Sequence, residues 1–386
     1  MKSTPLWRSL LLVFFLLSFL APAGVSAVEE EREPAPLCAP GVYMNGSADC
    51  LPLGPAQYLT EMAKIGVTFP QTPLPVRPPD PRLNEVEFDY AVVEEERAPI
   101  YQTLGSAVES NTKSIVRKTI PGFNYVSYTD SVYQQGRQYF KTKYGWMSST
   151  YITPTRTPTF QGVEFTRTPE GEFGWVLNYF SKHGEVETKR TPGYDQYDYT
   201  GHVLEHLEIV RIFDTQTVGR WDWYMVGPDE WIIQTAIAKV TPDPTPPSGT
   251  DWVRWIEANL YEQTISVYEE GELIFATLMA SGVADFWTYP GKFKIYEKLP
   301  ITNMQGMFAE DKSDWYYLEN VPWTMYYDER RALHGAYWRA RLGYPQSHGC
   351  INLSVGDAHW LYDWAEIGDW VYVHDPSQKT PSNPDK

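Results

Sequence analysis

Ser347-His348-Gly349-Cys350-Ile351-Asn352, with His334-Gly335 sixteen positions before the cysteine, holds the residues of this chain best suited to chemistry. A thiol becomes a nucleophile when a base takes its proton, and attack on a carbonyl needs N–H groups aimed at the oxyanion that forms. Cys350 is the candidate nucleophile and His334 the candidate base. Gly349 lets the main chain turn sharply, so that N–H groups around His348, Gly349 and Cys350 can face the point of attack. Two other arrangements use the same residue types. His202-Val203-Leu204-Glu205-His206 matches H-x-x-E-H, a zinc-peptidase string that requires a helix, yet Glu208–Phe213 and Trp221–Val226 read as hairpin strands. Cys350 with His334, His348 and His359 offers one thiol and no finger-like ligand spacing, which disfavours a metal centre. His359 and His374 read as structural, one in a helix and one at a strand end.

The string His334-Gly335…Ser347-His348-Gly349-Cys350 with Asn352 two residues on resembles the signature of the L,D-transpeptidase catalytic domain (YkuD-like). Tyr289-Pro290-Gly291-Lys292-Phe293-Lys294-Ile295 is similar to that family's Pro-Gly turn and strand, and Trp255–Gly282 to its opening hairpin. Asn352 stands where many members carry Arg. The resemblance implies that Cys350 attacks a peptidoglycan stem tetrapeptide, expels D-alanine and passes the acyl group from its thioester to an acceptor amine. His334 would serve as base and then acid, with a thiolate–imidazolium pair at rest. The Gly335 carbonyl would orient its ring, His348 and Gly349 would shape the oxyanion site, and Ser347, Asn352, Arg339 and Arg341 would meet substrate. No metal or cofactor is implied. Two alternatives stay open: a thiol-dependent L,D-carboxypeptidase or amide hydrolase, and a non-catalytic cell-wall-binding protein.

The elements that must position these residues read as mainly β: a sandwich-like catalytic domain with one short helix after the nucleophile, preceded by two small barrel-like repeats. Alternation over Ile256–Leu260 and Phe293–Ile295 predicts strands, the apolar run Leu273–Met279 after the turn Glu269-Glu270-Gly271 reads as a buried strand, and Val321–Tyr327 and Ala332–His334 suggest two more. Ser354-Val355-Gly356-Asp357 predicts a helix start, with Val355, Ala358 and Leu361 on one face to about Trp364. The many aromatics, 15 Trp and 27 Tyr, and the 31 Pro and 27 Gly favour short strands and turns over long helices.

The expected organisation is a signal peptide over 1–27, a Pro-rich extension over 28–85, repeats over 86–158 and 159–240, a Pro-rich linker over 241–251, the catalytic domain over 252–376 and a polar tail over 377–386. Lys2, Arg8 and the apolar run Leu10–Leu20 ending near Val25-Ser26-Ala27 carry the export reading, which places the protein in the periplasm or cell wall. Outside the cytoplasm Cys38 and Cys50 would pair, leaving Cys350 as the free thiol. The repeats, closing with Trp146 and Trp231, resemble tandem bacterial Src-homology-3-like domains and would act as a wall-binding module or a spacer. A net charge of −17 argues against a nucleic-acid partner, whose phosphates need clustered Lys and Arg.

Overall fold

The computed structural model describes residues 62–63, 73–181, 184–284, 286–307 and 315–384. The expected signal peptide and the Cys38–Cys50 pair lie outside the described residues. Among the described residues secondary structure is mainly β, with 47% strand and 9% helix.

Two sheets sandwich the C-terminal core. The first contains β1 (Arg254–Asn259), β2 (Thr264–Glu269), β3 (Glu272–Leu278), β4 (Gly291–Lys294) and, past the nucleophile, β9 (Trp370–His374). Its order is β3-β2-β1-β9-β4, with β1 and β9 parallel. The second contains β5 (Glu297–Gly306), β6 (Tyr316–Asp328), β7 (Arg331–Gly335) and β8 (Ile351–Leu353). Ile256, Val267, Phe275, Met325, Leu333, Ile351 and Val371 interdigitate between them, each less than a tenth exposed. The helix Val355–Trp364 seals the core with Ala358 and Leu361. Its cap is the one the sequence predicts: Ser354 Oγ accepts from the Asp357 N–H at 3.1 Å.

The preceding chain does not hang from this core on a linker. Phe123–Gln134 continues the second sheet, pairing in parallel with β6 through Tyr316↔Phe123, Tyr317↔Asn124 and Leu318↔Tyr125. Val163–Phe165 continues the first, pairing with β3, and Val76–Arg77 adds beyond it. The β3 edge of the first sheet and the start of β6, ahead of its pairing with β7, thereby gain partners that cover otherwise open backbone groups. The two N-terminal segments do not share one strand order: the strands of the first form a continuous run from Ile152–Thr155 to Ile115–Lys118, whereas the second splits into a three-stranded and a five-stranded sheet. The Pro-rich stretch before β1 is laid against the core, with Asp243 N–H donating to Tyr268 Oη (3.2 Å) and Lys292 Nζ donating to the Ser248 carbonyl (2.9 Å).

Glu262, in the turn between β1 and β2, joins the second segment to this core. It accepts from Tyr224 Oη and from the Lys239 N–H (3.2 Å). Burial pushes its carboxyl up to about 7, against the opposing pull of those donors and the Lys239 charge. An unfolded chain releases this proton near 4.5, so folding is favoured below that pH and loses this contribution as pH rises towards 7. Glu262→Gln, which cannot ionise, should therefore gain stability relative to the parent between pH 5 and 8, by up to roughly 3 kcal/mol. Urea unfolding at both pH values measures this, and an unchanged difference would contradict it.

Candidate active site

The nucleophile turn is built by Gly349, whose φ of +109° is open to glycine and strained for other residues. A side chain there would also meet Arg331 Nε at 3.3 Å and the Trp287 carbonyl at 3.4 Å. Thr288 pins the turn from the opposite loop, with its hydroxyl donating to the Gly349 carbonyl (2.8 Å) and accepting from the Gly282 N–H (2.9 Å). Immediately afterwards β8 pairs with β7 in parallel, setting Leu333 beside Ile351, His334 beside Asn352 and Gly335 beside Leu353. Because side chains alternate along a strand, Cys350 and Asn352 share the face that carries His334.

These residues line a cavity of about 460 Å³. Cys350, His334, Ser347, His348, Asn352 and Arg339, all singled out from the sequence, contribute to its wall. Sequence reasoning missed Tyr316, Trp338 and Gln346, and also Phe123, which arrives from the N-terminal segment through its pairing with β6. Trp338, four residues after His334, lies 5.6 Å from the imidazole between ring centroids. Its proximity in sequence was the available signal; Phe123 offered none.

The imidazole is held at both nitrogens. His334 Nδ1 donates to the Gly335 carbonyl at 3.2 Å. Nε2 accepts from Asn352 Nδ2 at 3.1 Å. Asn352 cannot be turned the other way, because its Oδ1 accepts from Arg339 Nε at 2.9 Å and a guanidinium only donates. Arg339 is fixed in turn by Gln346, through Oε1 at 2.9 Å and the main-chain carbonyl at 3.0 Å. This network assigns a neutral ring with its proton on Nδ1. Burial, reinforced by the Arg339 charge, pushes the His334 pKa down to about 4, against the opposing Gly335 hydrogen bond. Burial pushes the Cys350 thiol up, although the Ala332 backbone and the Arg331 charge oppose it. Cys350 Sγ meets the Arg330 carbonyl at 3.8 Å. Both shifts disfavour a thiolate–imidazolium pair at rest.

Three expectations change. Asn352 and Arg339, expected to meet substrate, line the cavity with Asn352 bonded to His334 and Arg339 bonded to Asn352 and Gln346. Arg341 is exposed and stacks 5.3 Å from the Tyr179 ring, away from the cavity wall. Ser347 Oγ takes the Gly349 N–H at 3.1 Å and donates to the Cys350 carbonyl at 2.5 Å, so the Gly349 N–H is spent on the turn. The His348 ring lies between Phe286 (4.6 Å) and Tyr316 (5.1 Å).

The zinc-peptidase string has no helix. His202 sits on the strand Tyr199–Leu204, with Nδ1 2.9 Å from Glu230, whereas His206 accepts from the Asn178 N–H and packs on Tyr179. His359 accommodates a structural role, stacked 3.9 Å from Trp323.

Residues 253–373 match the L,D-transpeptidase catalytic domain family, YkuD. A Bacillus subtilis (strain 168) protein assigned as the L,D-transpeptidase YciB is 27% identical over 143 residues, 33% of this chain and 71% of its own. Among solved structures, the NMR structure of the catalytic domain of an E. faecium L,D-transpeptidase is 26% identical and is covered completely by 33% of this chain, with a TM-score of 0.29. A Stackebrandtia nassauensis L,D-transpeptidase is 24% identical over 36% of this chain, with a TM-score of 0.27, and the match spans 60% of that protein's length. Residues 253–373, the segment that carries the cavity's cysteine and histidine, belong to the YkuD family of L,D-transpeptidase catalytic domains.

Proposed function

We propose that the protein is an L,D-transpeptidase that cross-links peptidoglycan stem peptides through a thioester on Cys350. The observation that carries this reading is the convergence of Cys350 and His334 on one cavity, with the imidazole's Nδ1 proton held by Gly335 and its Nε2 left as an acceptor. In the first half-reaction Cys350 Sγ attacks the carbonyl carbon of the amide that links the third and fourth residues of the stem. The thiol proton passes to His334 Nε2 as the Asn352 amide yields its place there. The C–N bond then breaks, and the imidazolium returns that proton to departing D-alanine. In the second half-reaction an acceptor amine attacks the thioester, His334 takes its proton, and the same proton restores the thiol. Water in place of the amine gives the carboxypeptidase outcome. The Cys350 and His348 N–H groups are the proposed oxyanion donors, with Gly349 serving the turn. The amino-terminal export reading suits an extracytoplasmic polymer, and among the described residues no helix is long and apolar enough to cross a membrane.

Incubation of the purified protein with a disaccharide-tetrapeptide, followed by mass spectrometry, tests the reading. Loss of D-alanine together with dimer formation supports it; release of D-alanine with no dimer, even when acceptor is abundant, assigns the hydrolase instead.

Arg339 acts through Asn352, which makes it a positioning residue. Arg339→Met should lower kcat about tenfold, equivalent to one lost hydrogen bond of roughly 1.4 kcal/mol, with a smaller change in KM. It should also move the acidic limb of the kcat/KM profile to higher pH, because a positive charge that depresses His334 is gone. A loss of folded protein with no displaced limb would mark a purely structural role.

A further inference from the structure

A second cavity, of about 650 Å³, lies outside the catalytic domain among the strands Val186–Lys189, Trp221–Gly227 and Glu230–Ile233. Lys189 on its wall is 8% exposed, an unusual place for an ammonium group. Its Nζ donates to the Gly193 carbonyl (3.2 Å) and the Asp195 carbonyl, and stands 4.9 Å from the Tyr199 ring centroid and 5.8 Å from that of Trp223. No carboxylate among the described residues pairs with it, although the chain as a whole carries a charge of −17. Two carbonyls satisfy two of its three N–H groups. Trp223 Nε1, on the same wall, is buried without an acceptor. A desolvated cation and an unpartnered donor at one cavity call for an acceptor from outside the protein, best an anionic one.

The remaining walls define what carries that anion. Phe180, Tyr194 and Tyr199 expose 70%, 59% and 43% of their surface, offering flat faces to sugar C–H groups or apolar side chains. Glu185 and Glu187, exposed at the rim, disfavour a polyphosphate and leave room for an isolated carboxylate. The cavity also adjoins the catalytic one. Phe180 packs 4.5 Å from Tyr344, whose hydroxyl donates to the Thr235 carbonyl at 3.1 Å, and both Phe180 and Thr235 line the second cavity. Two residues beyond Tyr344, Gln346 lines the catalytic cavity and holds Arg339.

We propose that this cavity binds an acidic glycopeptide, its carboxylate on Lys189 and its sugar or apolar faces on Tyr194 and Tyr199, so that a polymer held there presents a neighbouring stem to Cys350. Identifying that polymer as the enzyme's own substrate rests on the transpeptidase reading. Calorimetric titration of the full chain carrying Cys350→Ala with a soluble disaccharide-tetrapeptide should show two binding events. Lys189→Met should weaken one of them tenfold or more and leave the other, and Tyr199→Ala should weaken the same one. Converting the ligand's carboxylates to carboxamides should abolish that event. Should Lys189→Met fail to fold, Tyr199→Ala and the amidated ligand decide. A single event, or two events indifferent to both substitutions and to amidation, overturns the proposal. D-alanine release is measured separately on the parent enzyme, so failure of the catalytic reading and failure of this one are told apart.

Discussion

Cys350→Ala should reduce D-alanine release and dimer formation by about 10⁴-fold or more, to the level of uncatalysed solution, while leaving the thermal unfolding midpoint within a few degrees of the parent. The large effect follows from the lack of a comparable nucleophile: the aliphatic hydroxyl beside Cys350 on the cavity wall, that of Ser347, is engaged with the Cys350 carbonyl and the Gly349 N–H. The small effect on stability follows from the half-buried position of the side chain, since truncation of one sulfur beside an open cavity removes little packing. Mass spectrometry of the intact parent protein should show an acyl adduct that the variant lacks. Transfer activity that survives in Cys350→Ala would place the nucleophile elsewhere and end the thioester mechanism.

The second large effect concerns the charge state of the pair. Burial raises the Cys350 thiol and lowers His334 to about 4, and both changes favour the neutral partners. A thiolate–imidazolium pair would alkylate at a rate that levels off in mildly acidic solution. Here inactivation by iodoacetamide should instead climb about tenfold per pH unit from pH 6 to beyond 9, because only the scarce thiolate reacts. His334→Ala should keep the form of that alkylation profile yet lower acyl transfer by about 10²–10⁴-fold, since the base acts in the transition state rather than in the resting enzyme. A plateau in the parent between pH 5 and 7 that disappears in His334→Ala would show an ion pair at rest and contradict the neutral assignment.

The network Gln346–Arg339–Asn352–His334 explains how a buried base can be kept unprotonated without a carboxylate. A carboxylate on the ring would raise its pKa and favour the imidazolium. A carbonyl on Nδ1 and an amide N–H on Nε2 select a tautomer with no such charge, and the nearby guanidinium pushes further in the same direction. The arrangement makes proton transfer conditional: Asn352 must yield Nε2 before the thiol can use it.

Much of this domain was written locally. The alternation in Ile256–Leu260 specified a strand because side chains of period two point to opposite faces, and the apolar run Leu273–Met279 specified a strand buried on both. Ser354 and Asp357 announced the helix because its first N–H groups need a nearby acceptor. The pairing of a thiol and an imidazole through Ser347-His348-Gly349-Cys350 and His334-Gly335 could be read for the same reason: a residue type and a turn-forming glycine are local properties. The roles of Arg339, Arg341 and Asn352 could not. Arg339 and Arg341 are two residues apart and alike in chemistry, yet one turns inward to Gln346 and Asn352 and the other lies over Tyr179. That difference depends on which way the loop after β7 crosses the sandwich. Parallel pairing between β7 and β8, and between β6 and Phe123–Tyr125, joins residues far apart in the chain, and no short-range pattern encodes such partners. The sequence by itself therefore determined the strands and named the candidate thiol and imidazole. Only the tertiary structure decided their surroundings, the residues that hold the His334 ring, and the contribution of an N-terminal segment to the cavity wall, because desolvation and long-range pairing arise when distant segments are brought together.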